Sequence, residues 1–156
     1  MKYDTESPTQ EAPALSLGSN EFYLPNGLVG FPEINNVDVI YDEEELPFMW
    51  LRSTKVEDLS FIVIQPNGIV EDYTVQLMQA DVDELEIKSP EEVLILNIVI
   101  IKNEPAGRKI FTNLVGPIIV NRRTGVGKQV IIQNYEDYSA RHLLYDESAD
   151  DGGEEA

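Results

Sequence analysis

The sequence predicts an all-β fold, a small closed or partly closed β-barrel carrying one or two short helical turns. Three observations predict it: short segments rich in β-branched and aromatic residues, turn signals recurring between them, and near-continuous apolar runs at Ile62-Val63-Ile64 and from Ile95 to Ile101. Strands apolar on both faces are covered on both sides, which a closed or strongly curled sheet achieves. At 156 residues the chain suits one domain, large enough to bury a core without metal or disulfide staples.

Residues 1–18 are polar and rich in Pro, Ser, Thr and Glu, and read as a flexible leader. The barrel domain is expected over 19–146, followed by an acidic, disordered tail over 147–156. Turns are expected at Pro25-Asn26-Gly27, Gly30, Pro66-Asn67-Gly68, Pro105-Ala106-Gly107, Gly116-Pro117 and Thr124-Gly125-Val126-Gly127. Between them, strands are predicted at Glu21–Leu24, Val37–Tyr41, Phe48–Arg52, Leu59–Gln65, Leu94–Lys102, Lys109–Leu114, Pro117–Asn121 and Lys128–Asn134, with another around Tyr73–Leu77. Asp81 is placed to cap a short helical turn through Leu85, with Asp83, Glu84 and Glu86 near the favourable end of its dipole. Ser89-Pro90-Glu91-Glu92 has the order of a second helix start. Trp50, Phe48 and Phe61 are of core-building type and are assigned to the core.

Cysteine is absent, which excludes a disulfide framework, a thiolate metal site and a cysteine nucleophile. No signal-like apolar run opens the chain, and none approaches the roughly 18 residues that span a bilayer, so the expectation is a cytoplasmic protein with no membrane partner. The 29 acidic and 11 basic side chains give a formal charge of -18, which draws basic partners and repels phosphate backbones. The acidity is divided: residues 1–101 hold 20 acidic against 4 basic groups, 102–135 hold 1 against 6, and 136–156 hold 8 against 1.

Little here points to chemistry. The single histidine, His142, cannot build a His-rich metal site and reads as a surface or partly packed side chain. The carboxylate runs Asp42–Glu45, Glu57-Asp58, Glu71-Asp72, Asp81–Glu86 and Glu91-Glu92 lack the spacing of a calcium loop, and their abundance suits solvated or partner-facing loops better than acid–base catalysis. Thr124-Gly125-Val126-Gly127-Lys128 joins two predicted strands, as a hairpin turn does and a phosphate loop does not. Arg108, Lys109, Arg122, Arg123 and Lys128 are the one candidate surface for single-stranded nucleic acid, the alternative function; the surrounding negative field favours their neutralising nearby acidic loops. No catalytic residue, metal ligand or cofactor is assigned.

Taken together, three blocks resemble the FliW family of bacterial flagellar assembly factors, over roughly residues 20 to 145. The first is Gly27-Leu28-Val29-Gly30-Phe31-Pro32. The second is Pro47-Phe48-Met49-Trp50-Leu51-Arg52-Ser53 with Leu59-Ser60-Phe61-Ile62-Val63-Ile64. The third runs from Asn113-Leu114-Val115-Gly116-Pro117-Ile118-Ile119-Val120-Asn121 through Gly127-Lys128-Gln129-Val130-Ile131 to Tyr138-Ser139-Ala140-Arg141-His142. Gly116, where the family often has alanine, and Pro66-Asn67-Gly68 depart from its pattern. The resemblance implies a barrel-like β fold and a non-catalytic regulator that binds two proteins in exchange. These are CsrA, a dimeric RNA-binding translational repressor, and flagellin, the filament subunit. Sequestering CsrA would relieve repression of flagellin translation, and new flagellin would then capture the regulator and free CsrA. Asp42, Glu43, Glu44, Glu45, Glu71, Asp72, Asp81, Asp83 and Glu84 are the expected surface for the basic partner.

Overall fold

The computed structural model describes residues 2–4 and 20–147. Its strands are β1 (Lys2–Asp4), β2 (Glu21–Tyr23), β3 (Asn36–Ile40), β4 (Met49–Ser53), β5 (Ser60–Ile64), β6 (Thr74–Gln76), β7 (Val93–Glu104), β8 (Gly107–Thr112), β9 (Ile118–Asn121), β10 (Val126–Gln129) and β11 (His142–Asp146). The short helix α1 covers Gln79–Glu84, and single 3-10 turns occur at Glu43–Glu45, Pro90–Glu92 and Tyr135–Asp137. β1 pairs antiparallel with β6, apart from the main sheet. The leader expected over 1–18 and the tail over 147–156 lie outside the described residues, apart from β1 and Glu147.

Seven strands close the barrel in the order β7-β5-β4-β3-β2-β10-β9, with β9 returning to β7. Neighbours are antiparallel except β10 beside β2. Alternation along each strand sends one set of side chains inward, where Phe22, Leu24, Val37, Val39, Met49, Leu51, Val63, Leu94, Leu96, Ile118 and Val120 form the barrel core. Gly127 faces this interior, and a Cβ there would lie 2.9 Å from Val120 and 3.1 Å from Leu24, so the close approach requires glycine. Gly27, in the first motif, has φ +66 and would drive a Cβ to 2.5 Å from the Phe31 carbonyl, so the turn into Leu28 also depends on it.

The two-sided runs find their second covering layer outside the barrel. The chain between β5 and β7 folds over the outer faces of β7, β9 and β10, where Val70, Tyr73, Val75, Leu77, Val82, Leu85 and Ile87 bury Ile95, Ile119 and Val130. A smaller outer cluster joins Ile64, Val99 and Ile110. Cover ends along β7: Leu94 to Asn97 are buried, whereas Ile100 and Ile101 are exposed.

β7 serves two partners on one edge. Val93 to Leu96 pair with β9 and close the barrel, while Val99 to Glu104 pair with β8, which carries β11 on its far side. Between Thr112 and Ile118 the chain bulges away, and the gap is fastened from below. Asn97 donates through Nδ2 to the Asn113 carbonyl at 2.9 Å and to the Tyr73 hydroxyl at 3.2 Å, and Tyr73 donates to the Leu114 carbonyl at 2.7 Å. Asn113 Oδ1 accepts the Val115 and Gly116 N–H groups, each at 2.9 Å. Both Asn97 and Tyr73 are fully buried, and burial pushes the phenol above its ordinary range, so it remains a neutral donor.

Each predicted strand overlaps an observed one, but β7 is longer than predicted, β3, β4 and β8 are shifted, and β10 ends at Gln129, so the predicted Lys128–Asn134 strand holds only at its first two residues; β1 and β11 are additions. Asp81 does not cap α1: the helix starts at Gln79 after Met78, with no side-chain cap, and Asp81 lies within it, turned to a lysine. Ser89 likewise makes no capping bond; Glu92 instead accepts the Lys88 N–H at 3.0 Å. Trp50 is not in the core. It occupies an outward position on β4, over β3 and β5, where no second layer covers the sheet, and is 41% exposed.

If the Asn97–Tyr73 pair fastens the branch, Tyr73→Phe removes a donor and an acceptor without opening a cavity. The expected loss is about 1–3 kcal/mol, read as a lower urea midpoint at unchanged slope. Asn97→Asp, which faces two oxygens with a third, should cost more; midpoints equal to the parent's for both variants would contradict this role.

Candidate partner-binding surface

The acidic turn between β3 and β4 is built by its apolar ends. Tyr41 and Leu46 pack against the barrel core, which forces the four residues between them outward. Asp42 Oδ1 accepts the Glu44 N–H at 2.9 Å and the Asp42 carbonyl accepts the Glu45 N–H at 2.9 Å, closing one 3-10 turn. Asp42, Glu43, Glu44 and Glu45 are all exposed, and no ion pair among the described residues includes them. Like charges side by side repel, so a cationic partner is the natural relief.

The other expected carboxylates sit on the outer layer over β7, β9 and β10, separate from this turn. Glu71 and Asp72 are exposed at a tight corner where Asp72 has φ +58 and its carbonyl accepts the Tyr138 hydroxyl at 2.9 Å. Asp83, exposed on α1, accepts from Gln79 at 2.9 Å. Asp81 is buried, and Lys128 Nζ bridges it at 2.7 Å to the exposed Glu84 at 2.8 Å. The hydrogen bond from Lys128, then its charge, holds Glu84 below the ordinary carboxylate range, and the same two partners hold Lys128 above its own.

Four of the five candidate cations are engaged by acidic neighbours. Lys128 holds α1; Arg123 reaches Glu92 at 2.9 Å and the Glu86 carbonyl at 2.7 Å; Lys109 lies 3.4 Å from Glu104 and Arg108 3.7 Å from Glu147. Arg122 differs: its backbone N–H donates to the Glu92 carbonyl at 2.7 Å, while its exposed guanidinium lies 3.5 Å from the Glu91 carbonyl and joins no ion pair among the described residues. Glu92 itself is held below its ordinary range, first by the Lys88 N–H and then by Arg123. The hairpin turn carrying these arginines is tied by Asn121, whose Nδ2 donates to the Leu85 carbonyl at 2.8 Å and whose Oδ1 accepts the Arg123 N–H at 2.8 Å. Arg122 and Arg123 line one cleft together with Glu21, Tyr23 and Asn36, and Arg108, Lys109 and Lys128 lie outside it, so the five cations form no continuous track for a phosphate chain.

Trp50, Ile40 and Ile62 form an outward row across β4, β3 and β5. Assigning Trp50 by residue type hid this; the alternation Met49-Trp50-Leu51-Arg52, which puts Trp50 on the face of a charged residue, is the signal that discloses it. His142, half-buried on β11, lies opposite Thr112. Among the described residues no three His, Asp or Glu side chains gather as a metal site, and no helix is long and apolar enough to cross a membrane.

The comparisons agree with one another. The family model described as "FliW protein" matches residues 9–144. The flagellar assembly factor FliW of Natranaerobius thermophilus is 31% identical over 80% of this chain and 81% of its own. That of Leptospira interrogans is 35% identical over 81% and 83%, and that of Leptospira biflexa 38% over 76% of each. A crystal structure of the flagellar assembly factor FliW superposes with a TM-score of 0.72, covering 94% of this chain and 98% of the other at 24% identity, which supports the fold.

The Lys128 bridge predicts a two-sided pH response. A carboxylate held low, as Glu84 is, stabilises above its ordinary 4.5 and loses that contribution as pH falls through its lower folded value. A lysine held high stabilises fully below 10.5 and loses it as pH rises through its higher folded value. Lys128→Met should therefore cost about 1–3 kcal/mol near neutrality, chiefly by leaving Asp81 unpaired. The gap in urea midpoint from the parent should narrow at both extremes of pH; a gap independent of pH would contradict it.

Proposed function

This chain belongs to the FliW family of flagellar assembly factors, and from that membership we propose that it is a non-catalytic, cytoplasmic regulator that sequesters CsrA and binds flagellin, thereby controlling flagellin translation. The family match over residues 9–144 carries the reading. Its relatives bear the name of an assembly factor, which describes binding and not a reaction.

The physical chemistry supports the choice of partners. A repressor that holds RNA must present positive charge, and a protein of net charge -18 attracts such a surface quickly while repelling the RNA bound to it. Of the expected carboxylates, Asp42–Glu45, Glu71, Asp72, Asp83 and Glu84 face solvent, while Asp81 is buried and linked to Glu84 through Lys128. Flagellin would use a different attraction, the apolar face of an amphipathic segment against uncovered apolar surface.

Purified CsrA mixed with the full chain at low salt should elute as one complex in size-exclusion chromatography, and the complex should weaken steeply as salt rises. Added flagellin should release CsrA. Separate elution of two folded proteins at low salt would refute the proposal.

A further inference from the structure

One surface combines apolar contact area with carboxylates that no ion pair among the described residues includes. Ile40, Trp50 and Ile62 are direct register partners on three adjacent strands, so their Cβ atoms stand about 4.5–5.5 Å apart in a continuous row. The inward places beside them belong to Val39, Met49, Leu51 and Val63, so the row points out of the barrel. Ile40 and Trp50 are each 41% exposed, while Ile62 is half-buried on the outer cluster that Phe48 also joins. On one side the row is bounded by the Arg52–Asp38 pair, two hydrogen bonds of 3.0 and 2.8 Å that cancel each other's charge. Past Ile40, at its other end, comes the turn Asp42–Glu45, which no ion pair among the described residues includes.

We infer that this row and turn form a docking site for a basic amphipathic segment of a partner protein, with Trp50 as the apolar anchor and Asp42–Glu45 as the charged clamp. The inference rests on the proposed binding of a basic regulator and names the surface that would do it. Charge selects the occupant. Nucleic acid and anionic lipid would bring negative charge to a negative rim, and a second copy of this chain would bring another -18. A segment with leucine-like residues on one face and lysines or arginines flanking them satisfies both halves of the site. Tryptophan in a position to be enclosed is the residue type that most often dominates such contacts.

Trp50 is the one tryptophan of the chain, so its emission reads the site directly. The probe is a synthetic 18-residue helix of leucine and lysine at helical spacing, about five turns long, titrated into the full-length protein. A saturable blue shift is expected. The double reversal Glu43→Lys/Glu44→Lys, and separately Ile40→Ser, should weaken binding about tenfold or more, the scale of losing a central contact. Glu136→Lys/Asp137→Lys, an equal change of charge on the exposed 3-10 turn Tyr135–Asp137, should weaken it less than about threefold, as distant screened charges do. No blue shift, or equal losses from the two double reversals, would overturn the inference. The same variants are then tested against CsrA. Parent binding that the Glu43/Glu44 and Ile40 variants keep intact would remove the docking site and leave the regulator reading standing. Peptide binding that requires the patch, with no CsrA complex, would support the docking site and sink the regulator reading.

Discussion

A strand that pairs with two others along one edge needs a place to change partners, and in this protein that place is Asn97 on β7. Before it, β7 holds β9 and the barrel is closed; after it, β7 holds β8 and the sheet runs on to β11. The chain between Thr112 and Ile118 must leave the ladder there, which would strand its backbone groups in the core. Asn97 and Tyr73 answer two of its carbonyls, and Asn113 folds back on two of its N–H groups. Because Tyr73 comes from the outer layer, the same contact also ties that layer to the barrel. Closure, extension and covering thus share one buried polar cluster.

Charge follows this division of the fold. Lys128 and Arg123 lie where the barrel meets the acidic outer layer and pair with Asp81, Glu84 and Glu92, while Arg108 and Lys109 pair with Glu147 and Glu104 at the β7–β8 extension. The exposed pairs contribute little stability each, whereas the Lys128 bridge to buried Asp81 neutralises the layer where it meets the barrel. The turn between β3 and β4 has no such counterpart among the described residues. On folding, part of the acidity is compensated at Asp81, Glu84, Glu92, Glu104 and Glu147, while the Asp42–Glu45 run is exposed and in no ion pair among the described residues. The expectation that the basic stretch neutralises nearby acidic groups is met at Arg108, Lys109, Arg123 and Lys128.

Much of the barrel was legible because its strands obey local rules. Turn residues such as Pro25-Asn26-Gly27 and Pro105-Ala106-Gly107 bound the segments, and two-sided apolar runs announce cover on both faces. What escaped depends on tertiary context. β11 is a strand because β8 offers it an edge, and β1 because β6 does. Asp81 has the residue type of a cap and is instead drawn inward by Lys128, 47 residues away. Trp50 has the composition of a core residue and the alternation of a surface one, and the alternation decides its place because no second layer reaches β3 and β4. For the candidate site, sequence located the acidic turn but could not rank it above the other carboxylate runs, since ranking requires knowing which of them are already paired.

Hydrogen exchange of the full chain with and without CsrA tests the central claim most directly, since it maps which backbone a basic partner covers while the barrel stays closed. The account predicts slowed exchange in the segment from β3 through β4, including the turn Asp42–Glu45, and unchanged exchange in β8 and β11. Protection confined to β8 and β11, with the β3–β4 segment unaffected, would contradict it.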